Sequence, residues 1–257
     1  MRISVVIPVR DDALLLGACL AALAAQTRAP DEVIVVDNGS SDDSGALATA
    51  AGARVVTEPI RGIPRAAAAG YDAAAGDVIA RIDADSVCPP DWLARVETAF
   101  AEDPDLDFLT GDGRFYGAGP LVRWVAEHWY IGLMYAVLTP VLGHSPLFGS
   151  NLAMRAGAWH ELSPEVHREA TDIHDDFDLS LHVRPWMTVR HDRGLVVGVS
   201  ARPFENWPAL RRRLSWVIPT LRLHWPRRRP DRGSPPRRRQ RPAPTSTPLD
   251  APGRVPD

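Results

Sequence analysis

The alternation of two kinds of segment constrains the fold of this 257-residue chain more than any other feature. Short runs rich in Val and Ile, each of strand length, alternate with Ala- and Leu-rich stretches of helical composition. The predicted strands are residues 3–9, 32–38, 53–58 and 77–83, and the predicted helices are residues 13–26, 43–52, 63–76 and 90–103. Because parallel strands need crossover helices and are buried on both faces, this pattern predicts an α/β fold with a mostly parallel sheet flanked by helices.

The chain contains no lysine. A Walker-type phosphate loop needs a lysine that reaches the phosphates, and a pyridoxal phosphate enzyme needs one for its Schiff base, so both classes are excluded. The two cysteines, Cys19 and Cys88, lack the spacing of a disulfide framework or a zinc knuckle and favour a reducing compartment. The N-terminal apolar run is short and followed by charges, as in a strand and not a signal peptide, so we expect a cytoplasmic protein.

Polar side chains follow each of the four predicted strands. Ligands of open α/β sheets bind outside the carboxyl ends of the strands, so these residues should converge at one edge. They are Pro8 to Asp11, Asp37 to Ser41, Glu58 with Arg61 and Gly62, and Asp83 to Asp85.

Asp83 and Asp85 are separated by one residue directly after the fourth strand. Two carboxylates this close repel each other unless a cation lies beside them, and a hard divalent ion with oxygen ligands meets that need. Such an ion binds through one or two carboxylates together with the phosphates of a substrate. The alternative interpretation is that the pair caps the helix beginning near Pro90 or is solvated on a loop.

A second acidic cluster, Asp175, Asp176 and Asp178, precedes an apolar run. Acids in the first turn of a helix complement its dipole, which is the simpler interpretation. Three acids within four residues exceed what a cap needs, and neighbouring like charges raise one another's pKa. A raised pKa suits a general base.

Five segments together resemble family 2 glycosyltransferases of GT-A (Rossmann-like) fold, which are inverting and use nucleotide sugars. The segments are SVVIPVRDD at 4–12, PDEVIVVDNGSSDDS at 30–44, GDVIARIDADSVCPPDWL at 76–93, FGSNLAMR at 148–155 and HDDFDLSLHV at 174–183. The resemblance extends over roughly residues 2–200. It implies a GT-A catalytic domain at 1–200; we expect a helical extension at 201–226 and a disordered Pro- and Arg-rich tail at 227–257.

The resemblance also implies roles for individual residues. Pro8, Val9 and Asp37 would line the base pocket, although Asp37 also suits an Asx turn. Asp83 would lie near the ribose, and Asp85 would hold Mg²⁺ or Mn²⁺ on the diphosphate. Asp176 would be the catalytic base, with Asp175 as the alternative. Gly149, Ser150 and Asn151 lie between the two acidic clusters in sequence, and these small residues would let backbone donors approach the sugar or acceptor closely.

The chain departs from the family at several positions. Family members often carry Arg-Asn in the helix after the third strand, where this chain has Ala67 and Ala68, so Arg65 or Arg61 would approach the diphosphate instead. A histidine metal ligand common late in the domain is replaced by Val199. His191 could substitute for it, although a lone histidine is more often structural, and His174 would lie beside the acids.

Residues 120–149 and the C-terminal tail carry information about binding partners. Residues 120–149 are aromatic and apolar, too short and too interrupted to span a bilayer, and suit a helix packed over the acceptor cleft or one lying in a lipid interface. We favour packing against the core or the cleft.

The tail at 227–257 carries nine arginines against three aspartates, which suits an anionic membrane surface at the inner face more than nucleic acid, although a solvated tail without a partner is the commonest outcome.

The sequence therefore predicts an enzyme that moves one sugar from a UDP- or GDP-type sugar to an acceptor hydroxyl. Neither the sugar nor the acceptor, for which a lipid-linked molecule is one candidate, is specified. The alternative is a catalytically inactive nucleotide-sugar-binding protein of the same fold, which the departures at Ala67, Ala68, Val199 and Asp175 would suit.

Overall fold

The computed structural model describes residues 1–126, 132–205 and 207–224. Its strands are β1 Ile3–Val9, β2 Glu32–Asp37, β3 Arg54–Thr57, β4 Val78–Arg81, β5 Leu106–Tyr116, β6 Leu152–Arg155 and β7 Thr188–Ser200. Its helices are α1 Ala13–Ala24, α2 Ser44–Ala50, α3 Ile63–Ala73, α4 Trp92–Glu102, α5 Pro120–Val125, α6 Gly132–Leu142, α7 Ala156–Leu162, α8 Asp175–His182, α9 Arg202–Glu205, α10 Trp207–Ser215 and α11 Val217–His224. The Arg-rich tail at 227–257 lies outside the described residues.

The described strands form one mixed sheet in the order β3-β2-β1-β4-β6-β5-β7. β1 is parallel to both β2 and β4, and β2 is parallel to β3, as the alternation of strands and helices predicts. β6 runs antiparallel to β4 and β5, while β5 and β7 are again parallel. The prediction of an α/β fold with a mostly parallel sheet flanked by helices is confirmed.

Two apolar layers cover the sheet. On one face α1 and α4 pack against β1 and β4, and on the other face α3, α7 and α8 do so. Helix α3 lies very close to the sheet, because a Cβ at Gly70 would be 2.3 Å from Cγ1 of Val6. Ala67 and Ala68 belong to this buried layer. Their small side chains therefore serve the packing of α3 against the strands.

Helices α5 and α6 pack less closely than the sequence suggests. Neither helix contains a buried residue, and Leu121, Leu133 and Val141 are exposed. Met134 and Tyr135 nevertheless pack against a buried cluster that includes Phe115 and Phe148, and Oη of Tyr135 donates to the carbonyl oxygen of Gly111 at 3.2 Å. The preference for core or cleft packing is thus met on one side of α6 and at 146–149, whereas the exposed residues of α5 and the outer side of α6 do not follow it. No helix in the described ranges has the length and apolar character needed to cross a bilayer.

Candidate active site

The loops after β1 and β2 are held together by Asp11. This residue has a φ of 51°, in the left-handed region that aspartate tolerates better than most residues. Its Oδ1 accepts hydrogen bonds from the backbone N–H and the hydroxyl of Ser41, at 2.6 and 2.9 Å. These bonds lower the pKa of Asp11.

The predicted base pocket lies where β1 and β2 end side by side. Val9 pairs with Asp37, and Oδ1 of Asp37 accepts the N–H of Ser40 at 2.8 Å, which closes a turn of the Asx type that is one residue wider than the usual Asx turn. Asn38 then joins this loop to the loop after β3, because its Nδ2 donates to the carbonyl oxygens of Glu58 and Ile60 at 2.8 Å each. The loops after the first three strands thus converge, as predicted.

Asp83 and Asp85 face different partners. Oδ2 of Asp83 accepts the Ser150 hydroxyl at 2.5 Å, and its Oδ1 accepts Nη2 of Arg81 at 3.2 Å. Oδ2 of Asp85 instead accepts Nη2 of Arg202 at 3.2 Å. Ten residues separate the end of β4 from the start of α4, whose N-cap is Asp91, so neither Asp83 nor Asp85 caps this helix.

A cation already lies against Asp85. Arg202 pairs with both Asp85 and Asp12, and its side chain is 52% exposed. Burial, and secondarily the charge of Asp83, raises the pKa of Asp85 to about 6. A sheltered carboxylate of this kind offers a hard oxygen ligand whose present counter-ion is an arginine open to solvent. The donor set therefore fits a divalent cation on Asp85, with Asp83 occupied by Ser150 and Arg81.

Arg81 connects the two acidic clusters. Its buried guanidinium contacts Asp83 through Nη2 and Asp175 through Nη1. A Cβ at Gly149 would lie 2.8 Å from Nη1 of Arg81, so glycine leaves the space that the guanidinium occupies. Burial raises the pKa of Asp175 to about 6 even though Arg81 opposes the shift. The raised pKa expected for this cluster is thus found on Asp175, and burial is its main cause.

Asp176 has a different environment from Asp175. Its Oδ2 accepts the N–H of Gly149 at 2.9 Å, and its Oδ1 accepts the N–H of Phe177 at 2.8 Å. The next residue, Ser150, donates to Asp83. Two consecutive residues, Gly149 and Ser150, therefore bind one carboxylate from each cluster and place both clusters at one site.

Asn151 does not face this site with its side chain. It is fully buried, and its Oδ1 accepts Nε1 of Trp92 at 2.9 Å. Its Nδ2 donates to the carbonyl oxygens of Asp112 and Leu195 at 2.9 and 2.7 Å. Both N–H groups of this amide and one lone pair of its oxygen are therefore used in the core. That backbone donors of residues 149–151 approach the sugar or acceptor stays a prediction.

Three other predicted residues have protein partners. Arg65, expected at the diphosphate, forms an ion pair with Glu169. Nε2 of His191 lies 2.7 Å from Oδ1 of Asp112, and its ring stacks on Tyr135. Nε2 of His174 lies 2.7 Å from the carbonyl oxygen of Arg213. Neither histidine is hydrogen-bonded to Asp85 in this structure.

Sequence reasoning missed Arg81 and Arg202. A signal for Arg81 was present, because an arginine in a strand as apolar as VIAR must be paired when the strand is buried on both faces. For Arg202 the sequence offered little, since it lies 117 residues from Asp85.

Comparison with known proteins identifies the family. The sequence profile described as Glycosyl transferase family 2 matches residues 4–155, more than half of the chain. The chain belongs to glycosyl transferase family 2. An uncharacterized glycosyltransferase of Mycobacterium bovis is 38% identical over 125 residues, covering 49% of this chain and 54% of that protein. An undecaprenyl-phosphate 4-deoxy-4-formamido-L-arabinose transferase of Sodalis glossinidius is 34% identical over 115 residues, covering 41% of this chain and 35% of that transferase.

Solved structures of the same family architecture confirm the GT-A fold. Glucosyl-3-phosphoglycerate synthase from Mycobacterium tuberculosis, in complex with Mn²⁺, uridine diphosphate and phosphoglyceric acid, superposes with a TM-score of 0.61 at 24% identity. That match covers 86% of this chain and 77% of the synthase. Its complex with Mn²⁺, UDP-glucose and phosphoglyceric acid gives 0.61 at 22% identity, covering 85% and 79%. This chain matches only about half the length of the M. bovis relative and less of the Sodalis transferase.

Proposed function

We propose that this family 2 chain is an inverting glycosyltransferase that moves one sugar from a UDP or GDP sugar to an acceptor hydroxyl. The observation that carries the proposal is the pair of bonds made by Gly149 and Ser150, which join Asp176 to Asp83. A donor held over the D-x-D loop would then have its sugar within the space shared with Asp176.

The nucleotide end of the donor would lie where the loops after β1, β2 and β3 meet. Pro8 and Val9 supply an apolar edge, and Asp37 keeps Oδ2 available because its Asx turn uses Oδ1. A carboxylate oxygen at this position suits the N–H of a uracil-like base. Arg65, paired with Glu169, would have to exchange that partner to approach a diphosphate, so Arg202 is the better-placed guanidinium.

The diphosphate would lie at Asp85. A divalent cation there, Mg²⁺ or Mn²⁺, would neutralise the charge of the departing nucleoside diphosphate. Arg202 is half-exposed, and its guanidinium is bonded to the carboxylates of Asp12 and Asp85 among the described residues, so it can turn from Asp85 towards phosphate oxygens. The Mn²⁺ and uridine diphosphate in the synthase complex support this assignment by likeness of fold.

Asp176 is the stronger candidate for the base. Asp175 is tied to the buried Arg81, whereas the described bonds to Asp176 come from two backbone N–H groups, which fix the direction of its carboxylate without committing it to a cation. Asp176 would take the proton of the acceptor hydroxyl. The hydroxyl oxygen would bond to the anomeric carbon as the bond from that carbon to the diphosphate oxygen breaks, which inverts the configuration.

For the acceptor, we propose a phosphorylated molecule. The synthase was solved with phosphoglyceric acid, and the Sodalis relative is named for undecaprenyl phosphate. A phosphorylated acceptor is common to both names, and a lipid-linked one would suit the exposed apolar side chains of α5 and α6.

Release of nucleoside diphosphate from UDP and GDP sugars, with phosphorylated acceptors and Mg²⁺ or Mn²⁺, tests the proposal. We expect Asp176→Asn to lower kcat about a thousandfold while nucleotide binding is kept, because only proton transfer is lost. Asp85→Asn should weaken binding of nucleoside diphosphate in Mn²⁺ and have little effect in its absence. Asp91→Asn, which changes an exposed acid at the N-cap of α4, is the matched control.

Two results would contradict the proposal. Wild-type turnover by Asp176→Asn would remove this residue from the mechanism. Tight binding of nucleotide by the wild-type chain, with no release of diphosphate from any donor and acceptor pair, would favour the non-catalytic binding protein.

A further inference from the structure

Three histidines surround one carboxylate on the side of α8 away from Asp176. His167 Nδ1 and His224 Nε2 lie 2.7 and 2.8 Å from the same oxygen of Asp178, Oδ1. His182 Nδ1 lies 2.8 Å from the backbone carbonyl oxygen of Asp178 and 3.8 Å from Oδ2 of its carboxylate. One potential ligand atom from each of the four residues falls within 4.8 Å of every other. We call these four residues the histidine cluster.

The histidine cluster is sheltered and built from three separate parts of the chain. Asp178, His182 and His224 are buried, and His167 is half-buried. Asp178 and His182 are four residues apart on α8, which places both on one helix face. His167 comes from the loop between α7 and α8, and His224 is the last residue of α11.

We propose that the histidine cluster is a structural zinc site. Zinc prefers tetrahedral sets of nitrogen, sulfur and carboxylate oxygen ligands, and a set of three imidazoles and one carboxylate fits it. Bonds of roughly 2.0–2.2 Å in a tetrahedron place ligand atoms about 3.4 Å apart, so the two pairs now at 2.7 and 2.8 Å would open by somewhat less than an ångström, while the widest pairs, up to 4.8 Å apart, would close by up to about 1.4 Å. Mg²⁺ and Ca²⁺ prefer oxygen ligands, which makes them poor occupants.

This site is distinct from the one at Asp85, and it does not depend on the proposed transferase activity. All four ligands would be protein groups, as in zinc sites that stabilise a fold and do not catalyse. Zinc would fasten α11 to α8, where the described contacts are few and include the bond from the N–H of His174 to Oγ1 of Thr220, at 3.2 Å. Because α8 carries Asp175 and Asp176 in its first turn, the metal would also fix the position of that turn.

The alternative is a cluster held by hydrogen bonds alone, with Asp178 accepting from the imidazoles. The zinc site and the hydrogen-bonded cluster predict different results when a cysteine replaces a histidine. Cysteine in place of His224 can still bind zinc as a thiolate once the end of α11 moves towards the ion, but a thiol is too weak a donor to replace an imidazole hydrogen bond to Asp178.

Metal content of the full chain, purified without a histidine tag and dialysed against chelating resin, is the first measurement. We expect about one zinc ion per chain to remain, and the same in Asp85→Asn. Removal by a strong chelator should lower the melting temperature by roughly 5–10 °C, with recovery on adding zinc. Replacement by Co²⁺ should give the intense visible bands of a tetrahedral site.

Variants then assign the ligands. His224→Gln should lose the zinc, whereas His224→Cys should keep it and add a thiolate-to-cobalt charge-transfer band in the near ultraviolet. His160→Gln changes an exposed histidine on α7 and should behave as the wild type. If His224→Gln fails to fold, the cobalt spectrum of the wild type still decides.

The proposal is overturned if the wild-type chain, stripped and reloaded, holds no zinc after gel filtration, or if its Co²⁺ form lacks the intense visible bands of a tetrahedral site. Zinc retained by the wild type but lost in Asp85→Asn would also overturn it, because the ion would then belong to the D-x-D loop.

Discussion

Asp83 and Asp85 lie on the loop after β4, whereas Asp175, Asp176 and Asp178 occupy the first turn of α8. In sequence each group is a short run of like charges. On the loop, one acid turns inward to Arg81 and the other turns outward to the half-exposed Arg202. On α8 the three acids take three different partners: Arg81, backbone N–H groups and histidines.

The two clusters differ in the solvent access of the paired arginine: the side chain of Arg81 is 4% exposed and that of Arg202 is 52% exposed, whereas Asp175 and Asp85 are each 14% exposed. A buried charge is expensive unless it is paired and hydrogen-bonded, so Arg81 and the carboxylates around it need one another. Asp85 is paired with an arginine that remains open to water, and such a pair contributes little to stability. The cluster on α8 should therefore contribute to the fold, while the pair at Asp85 remains available for ligand exchange.

Removal of each arginine compares the two clusters directly. Arg81→Leu leaves Asp175 buried without its cation, and we expect the free energy of unfolding to fall by about 3–5 kcal/mol. Arg202→Leu should cost less than about 1 kcal/mol, because its side chain is half-exposed. Urea denaturation of the two variants measures both values. Equal losses would mean that solvent access does not distinguish the clusters.

The pH dependence of stability sharpens the comparison at Asp175. Its pKa is raised by burial from 3.8 to about 6, so between these values the folded chain holds more of this proton than the unfolded chain does. Stability contributed by this group is therefore greatest at low pH and falls as pH rises to about 6. Asp175→Asn mimics the protonated form and removes this dependence.

The measurable quantity is the difference in unfolding free energy between wild type and Asp175→Asn at several pH values. Relative to Asp175→Asn, the wild type should lose roughly 2 kcal/mol of unfolding free energy between pH 4 and pH 6.5, and the difference should stay constant at higher pH. A difference that is constant over this window would show that Asp175 titrates in its ordinary range when folded. Asp91→Asn, with an exposed carboxylate, provides the baseline.

The first half of the fold could be predicted from the sequence because its signals are local. Strands such as Ile3–Val9 and helices such as Trp92–Glu102 begin and end within a few residues of the predicted limits. Alternating strands and helices also leave few ways to order a parallel sheet, and the exits of such strands necessarily share an edge.

The site's internal partners could not be predicted, because they join residues distant in the chain. Arg81 and Asp175 are 94 residues apart, and no local pattern links them. Asn151 lies in a segment typical of the family's site, yet its amide is turned into the core by Trp92, 59 residues away. Which way a side chain points between two layers depends on packing that spacing alone does not encode.

Two glycines, Gly149 and Gly157, test how tightly the residues around Arg81 are packed. A Cβ at Gly149 would meet Nη1 and Cζ of Arg81 at 2.8 and 2.9 Å, and the backbone there also holds Asp176. Gly149→Ala should therefore cost about 1–2 kcal/mol of unfolding free energy by displacing the guanidinium.

Gly157 in α7 is the matched control, because a Cβ there meets no atom within 4 Å of the described chain. Gly157→Ala should leave the protein as stable or raise its stability by up to about 1 kcal/mol, since alanine favours the helix. Thermal melts of the two variants give the comparison. If Gly149→Ala proved as harmless as Gly157→Ala, Arg81 would have room to move, and the close contact between the guanidinium and this glycine could not be what aligns the two acidic clusters.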